Sequence, residues 1–121
     1  MQNSNQPLLD PAALENLRSL RMDGEPDPLP DLVQLFINDT TKRIAQIHAA
    51  IEKSLAADLE AAAHSLKGSA SNLGAHTSAA TCHCIMQHAR KNEFAPTTQL
   101  AKSIEADFAK VKDALFEELK R

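Results

Sequence analysis

Between Val33 and Ile51 the apolar residues return at intervals of three and four: Val33, Phe36, Ile37, Ile44, Ile47 and Ile51, with Thr40 continuing the same line. That spacing draws one stripe along a helix and does not fit a strand, whose faces alternate at every residue. So long a stripe must be buried, and the chain has to supply further helices to bury it. Leu100, Ile104, Phe108, Val111 and Leu115 mark a second long helix, from about Pro96 to Leu119. Ser78, Cys82, Ile85 and Ala89 form a thin stripe of small residues within 76–91. Another helix is expected from Asp58 as N-cap to Gly74, the C-cap residue. A short one opens at Asp10, an N-cap aspartate followed by Pro11 at the first helical position. The turn-rich stretch "MDGEPDPLP" separates it from the long helix running from about Pro30 to Ser54.

Short connections between long amphipathic helices place neighbours antiparallel. The expected fold is all-α: an antiparallel up-down four-helix bundle with an additional short N-terminal helix. Residues 1–9 read as a disordered lead-in and 10–121 as a single domain. No heptad pattern lasts long enough to specify a coiled coil.

Composition excludes several roles. With 121 residues and a formal net charge of −3, the chain is one domain without electrostatic support for general nucleic-acid binding. No apolar run approaches a membrane span, and the polar opening "MQNSNQP" lacks the basic and apolar regions of a signal peptide. A cytoplasmic location without membrane association is the expectation. Cys82 and Cys84 lie two apart on a helix, face different ways, and read as reduced thiols.

The stretch "AAAHSLKGSASNLGA", residues 61–75, carries a glycine inside a helix-forming run. Gly68 there costs about 1 kcal/mol relative to alanine, so something must favour an absent side chain. On a wheel advancing about 100° per residue, Leu55, Leu59, Ala62, Ala70 and Leu73 fall within about 45° of Leu66 if the helix is extended back to residue 55. His64, Lys67, Gly68, Ser71 and Ala75 project to the other side, with Ala57 and Ala61. That side holds small residues around one imidazole, which suits close approach by another molecule. Imidazole is a good nucleophile near neutral pH and shuttles protons. A lysine one turn away would stabilise an anion formed on it, and glycine would keep an in-line approach clear.

His64-Ser65-Leu66-Lys67-Gly68-Ser69-Ala70, followed by Leu73-Gly74-Ala75, resembles the motif of histidine-containing phosphotransfer (HPt) domains. The acidic-capped second helix, Cys82, the Ala89-Arg90 pair and the long final helix are similar too. The resemblance implies a four-helix bundle whose imidazole is phosphorylated at Nε2, with transfer to or from an aspartate of a response-regulator receiver domain. His64 is then the phospho-acceptor, Lys67 stabilises the phosphoryl, and Gly68 leaves room for the partner. Ala57, Ala61, Ser71 and Ala75 would line the partner-binding face. A sensor or hybrid histidine kinase would supply the phosphoryl. The Mg²⁺ would sit on the receiver, leaving this chain a stoichiometric carrier without a cofactor or autonomous catalysis. Where many members carry a polar residue that orients the histidine ring, this chain has Met86, with Gln87 about 100° further around the helix.

A different reading uses "TCHCIMQHAR", residues 81–90, for metal. Cys84 and His88 are one turn apart, and His76 and His83 are stacked two turns apart. These side chains spread around the helix, whereas a structural zinc needs four ligands converging on one point. No metal site is expected. The alternatives to phosphotransfer are a helical metal-binding or redox bundle using the histidines and cysteines of 76–88, and a helical interaction scaffold without phosphorylation.

Overall fold

A computed structural model describes residues 9–21 and 23–120. It contains five helices: α1 (Pro11–Arg18), α2 (Leu29–Lys53), α3 (Ala56–Asn72), α4 (His76–Arg90) and α5 (Ala95–Leu119). No strand occurs among the described residues. α2 packs on α3, α3 on α4, α4 on α5, and α5 back on α2, which closes an up-down four-helix bundle. The expected stripes are its inner faces, with Val33, Phe36, Thr40, Ile44 and Ile47 of α2 meeting Ile104, Val111 and Leu115 of α5 across a common core.

Helix ends follow local chemistry. The Asp10 carboxylate accepts the Ala12 N–H at 3.0 Å and caps α1, while Asp27 accepts the Leu29 N–H at 2.9 Å at the head of α2. α3 begins earlier than its expected cap. Ser54 adopts a left-handed conformation (φ 55°), and the Leu55 N–H reaches back to the Ala50 carbonyl at 2.9 Å. This reversal ends α2 and starts α3 almost at once, because the Leu55 carbonyl already accepts the Leu59 N–H at 2.9 Å. Asp58 is therefore a first-turn acid that complements the helix dipole, not the N-cap. Leu55, placed on the core face by a helix drawn through it, is instead 44 % exposed. At the other end Gly74 takes φ 75° just after Leu73, the left-handed position a helix end favours.

α1 closes one end of the bundle. Its first residues meet the α3–α4 turn, where the Asp10 N–H donates to the Gly74 carbonyl at 3.0 Å. Its last turn reaches α5, where the Arg18 guanidinium donates to the Glu118 carbonyl at 2.9 Å. Leu9 and Leu14 are buried there against Leu29, Val33, Leu73 and Leu115. The lead-in expected over 1–9 is thus corrected at its last residue: Leu9 belongs to the core, and residues 1–8 lie outside the described residues. Burying one leucine contributes about 1.5–3 kcal/mol, so this contact anchors the start of the domain.

Candidate functional site

The middle of α3 has two contrasting sides. Leu59, Ala62, Ala63, Leu66 and Ala70 are buried, with Leu66 at 2 % exposure. His64, Ala57, Ala61, Gly68 and Ser71 are exposed, and Lys67 is partly buried at the edge. The face expected to carry the chemistry is therefore open, with one exception. Ala75 was expected on it, but it is 1 % exposed and packs in the core beneath α1. α3 stops at Asn72, and Gly74 turns the chain, so helical geometry cannot be projected as far as residue 75.

The His64 imidazole makes no side-chain hydrogen bond or ion pair with any described residue, and neither does the Lys67 ammonium. Three and four residues are neighbouring positions on a helix, so Lys67 and Gly68 both adjoin His64. A Cβ added to Gly68 would meet nothing within 4 Å. The glycine is not needed by this fold's own packing, so the space it leaves belongs to the outside.

Polar groups flank His64 on both sides. Toward α4, the Arg90 guanidinium binds the Glu60 carboxylate, one turn before His64 on the same face. Projected one turn along each antiparallel helix from that pair, position 86 of α4 falls opposite position 64 of α3. Met86 is 5 % exposed in the core and has no proton to offer or strong acceptor, while Gln87 is exposed. Burial pushes the Cys82 thiol of α4 up to about 12, against a smaller lowering by the Lys67 charge. Cys82 is thus an inert core thiol, and Cys84 is an exposed free one. Toward α2, Ser69 donates to Asp39 at 3.0 Å, and Asp39 in turn accepts from Arg43 at 3.2 Å. A groove between α2 and α3, lined by Arg43, Gln46, Lys53, Asp58, Ala61 and Ser65, runs alongside.

Arg90 reaches Glu60 from the last turn of α4, and Ser69 reaches Asp39 from α3. Both are interhelical ties, and only the register of the packed helices reveals them. The histidines and cysteines of 76–88 do not gather: among the described residues no three His, Cys, Asp or Glu side chains converge as metal ligands. His76 instead pairs with Asp10 at 3.3 Å, and His88 with Glu93 at 2.8 Å.

The sequence model of the Hpt domain matches residues 31–115, a span that runs from the first turn of α2 through most of α5. The chain belongs to the Hpt domain family. The chain is 33 % identical to histidine-containing phosphotransfer protein B from Pseudomonas aeruginosa PAO1, whose crystal structure aligns with a TM-score of 0.86 over 95 % of this chain and 96 % of that one. A maize histidine-containing phosphotransfer protein aligns with a TM-score of 0.82 at 22 % identity, covering 93 % of this chain and 83 % of that one. One from Medicago truncatula aligns with a TM-score of 0.74 at 21 % identity, covering 93 % and 82 %. The two plant likenesses are of fold alone. No curated protein sequence matches the chain significantly. As an Hpt domain the chain serves histidine phosphotransfer in a phosphorelay, and the all-helical bundle expected from its stripes is the architecture found. No helix among the described residues is long and apolar enough to cross a membrane.

Proposed function

We propose that this Hpt domain carries the phosphoryl group on His64, receiving it from and returning it to the aspartate of response-regulator receiver domains. The observation that carries the reading is an exposed, unpaired imidazole on a face cleared of bulk, with an unpaired ammonium one turn away. In the transfer, the Nε2 lone pair attacks phosphorus in line, an N–P bond forms, and the P–O bond to the aspartate breaks. The aspartate leaves as carboxylate, and Nδ1 keeps the ring proton. Lys67 meets the charge on the moving phosphoryl oxygens, and Gly68 leaves the line of approach clear. Exposed Ala57, Ala61 and Ser71 form the small-residue surface that the receiver covers.

Among the described residues no ligand set for a divalent cation gathers beside His64. Glu60, the carboxylate on this face, is engaged by Arg90, and no acidic cluster converges among the described residues. On this reading the Mg²⁺ that phosphoryl transfer uses is held by the receiver, and the protein acts beside it in the cytoplasm as a stoichiometric carrier. A sensor or hybrid histidine kinase would feed the relay.

The test is profiling against phosphorylated receiver domains of the source organism. Acid-labile, alkali-stable phosphate should pass rapidly from at least one of them to this protein. Absence of transfer from every receiver would leave a helical scaffold instead.

A further inference from the structure

Of the five described helices, α4 alone contains no aspartate or glutamate, in a chain whose formal net charge is −3. It carries four side chains able to bear positive charge: His76, His83, His88 and Arg90. Three of them are met by a carboxylate from outside the helix. His76 pairs with Asp10 at the head of α1, His88 with Glu93 in the turn after α4, and Arg90 with Glu60 of α3. His83 is the exception. It is exposed and makes no side-chain hydrogen bond or ion pair with any described residue.

Its position in the fold gives the exception a meaning. Glu60 and Lys67 lie two helical turns apart on one edge of α3, and Arg90 and His83 lie two turns apart on one edge of α4. The two helices are antiparallel. Projected two turns along each from the Glu60–Arg90 pair, position 83 falls opposite position 67. The Lys67 charge also acts on the thiol of Cys82, the residue just before His83. Lys67 and His83 therefore border the same stretch of the α3–α4 groove, beside His64. No acid of α4 repels an anion there, and Glu60 on α3 is already engaged by Arg90. Such an edge favours a partner that brings carboxylates.

Resting on the reading that His64 exchanges phosphoryl with receiver domains, we infer that His83 is a recognition residue for them, pairing with an acidic side chain of the docked receiver at the α4 edge. The receiver then supplies the one carboxylate that α4 lacks. The contact has the chemistry of His88 with Glu93 at 2.8 Å, a ring N–H donating to a carboxylate oxygen. On that reading Lys67 meets the phosphoryl, while His83 meets the receiver beyond it. A charged contact at the rim of an interface acts on encounter and partner choice more than on the chemical step. A receiver with a basic residue at that place is disfavoured, so His83 separates receivers that share the same chemistry.

The test is single-turnover transfer at increasing concentrations of the phosphorylated receiver domain of the source organism that serves the wild-type protein fastest. His83→Ala should raise the half-saturating receiver concentration roughly three- to tenfold and leave the saturated rate within about twofold. His83→Glu should raise that concentration further, His83→Lys should restore it, and high salt should narrow the differences. Circular dichroism checks that each variant keeps the helical fold. Wild-type half-saturation in folded His83→Ala and His83→Glu proteins overturns the inference and leaves the role of His64 standing. A fall in the saturated rate with unchanged half-saturation also overturns it, because His83 would then act on the chemical step. Absence of transfer from every receiver to the wild-type protein refutes the carrier reading itself, and this inference with it.

Discussion

Asp10 and Gly74 meet backbone to backbone: the Asp10 N–H donates to the Gly74 carbonyl at 3.0 Å, and a Cβ on Gly74 would stand 2.7 Å from both the Asp10 nitrogen and Cβ. One glycine thus serves two needs, the left-handed turn between α3 and α4 and the seat on which α1 rests. Gly74→Ala faces a left-handed backbone penalty of about 1–2 kcal/mol and overpacking of about 1–3 kcal/mol. The expected loss is about 2–5 kcal/mol in chemical denaturation, accompanied by faster amide exchange in α1. Unchanged stability would show that the turn tolerates a side chain and that α1 docks elsewhere.

Gly68 is the opposite case, since nothing in the fold occupies the space beside it. Gly68→Gln should raise stability by a few tenths to about 1 kcal/mol, because glutamine is the better helix former. The same change should block transfer from a phosphorylated receiver, because the new side chain stands in the approach path. Wild-type transfer rates in a folded Gly68→Gln protein would remove the account of the glycine.

The α1 anchor is sensitive to acid. The Asp10 carboxyl is held below its ordinary value of 3.8, first by the hydrogen bond to His76 and then by the Ala12 N–H. A carboxyl whose folded value is depressed adds stability above its unfolded value and loses it as pH falls through the folded one. The α1 contact should therefore be intact above about pH 4 and loosen below it. Carboxyl titration by NMR should place Asp10 below 3.8, with His76→Ala moving it back upward. Titration of Asp10 at or above 3.8 in the wild-type protein would contradict the pairing.

Lys67 separates electrostatics from access. A phosphorylated imidazole is dianionic near neutral pH, and exposed charge contacts contribute about 1 kcal/mol or less to such a ground state. Once a docked receiver excludes water, the same ammonium acts more strongly. Lys67→Ala should slow transfer roughly ten- to a hundredfold, about 1.4–2.7 kcal/mol of barrier, while the lifetime of isolated phospho-protein changes much less. Lys67→Arg should recover part of the rate, because charge persists in a different geometry. Single-turnover transfer at wild-type speed in Lys67→Ala would make Lys67 a solvated surface residue.

What the sequence made legible was whatever depends on period alone. Val33, Phe36, Thr40, Ile44 and Ile47 of α2 and Ile104, Val111 and Leu115 of α5 are buried as read, with Ile37 and Phe108 half-buried against them, and the His64 side of α3 is open as far as Ser71. The misses came where local geometry departs from a uniform helix. The reversal at Ser54 moved the start of α3 to Ala56, and the positive φ at Gly74 put Ala75 into the core. Contacts between elements were not legible at all. Arg90 with Glu60, Ser69 with Asp39 and Asp10 with Gly74 each depend on how far one helix slides along another, which residue periodicity does not encode.

The central claim is that His64 accepts the phosphoryl group, and site-mapped transfer into wild-type and His64→Gln proteins measures it most directly. Both are mixed with the same phosphorylated receiver, and the product is mapped by mass spectrometry under alkaline conditions that preserve phosphohistidine. Because His64 is exposed and makes no side-chain contact that holds the fold, the variant should keep the wild-type helical spectrum. Phosphate should appear on the His64 peptide of the wild-type protein and be absent from the variant. A folded His64→Gln protein that takes up phosphate at His76 or His83 at the wild-type rate would contradict the account.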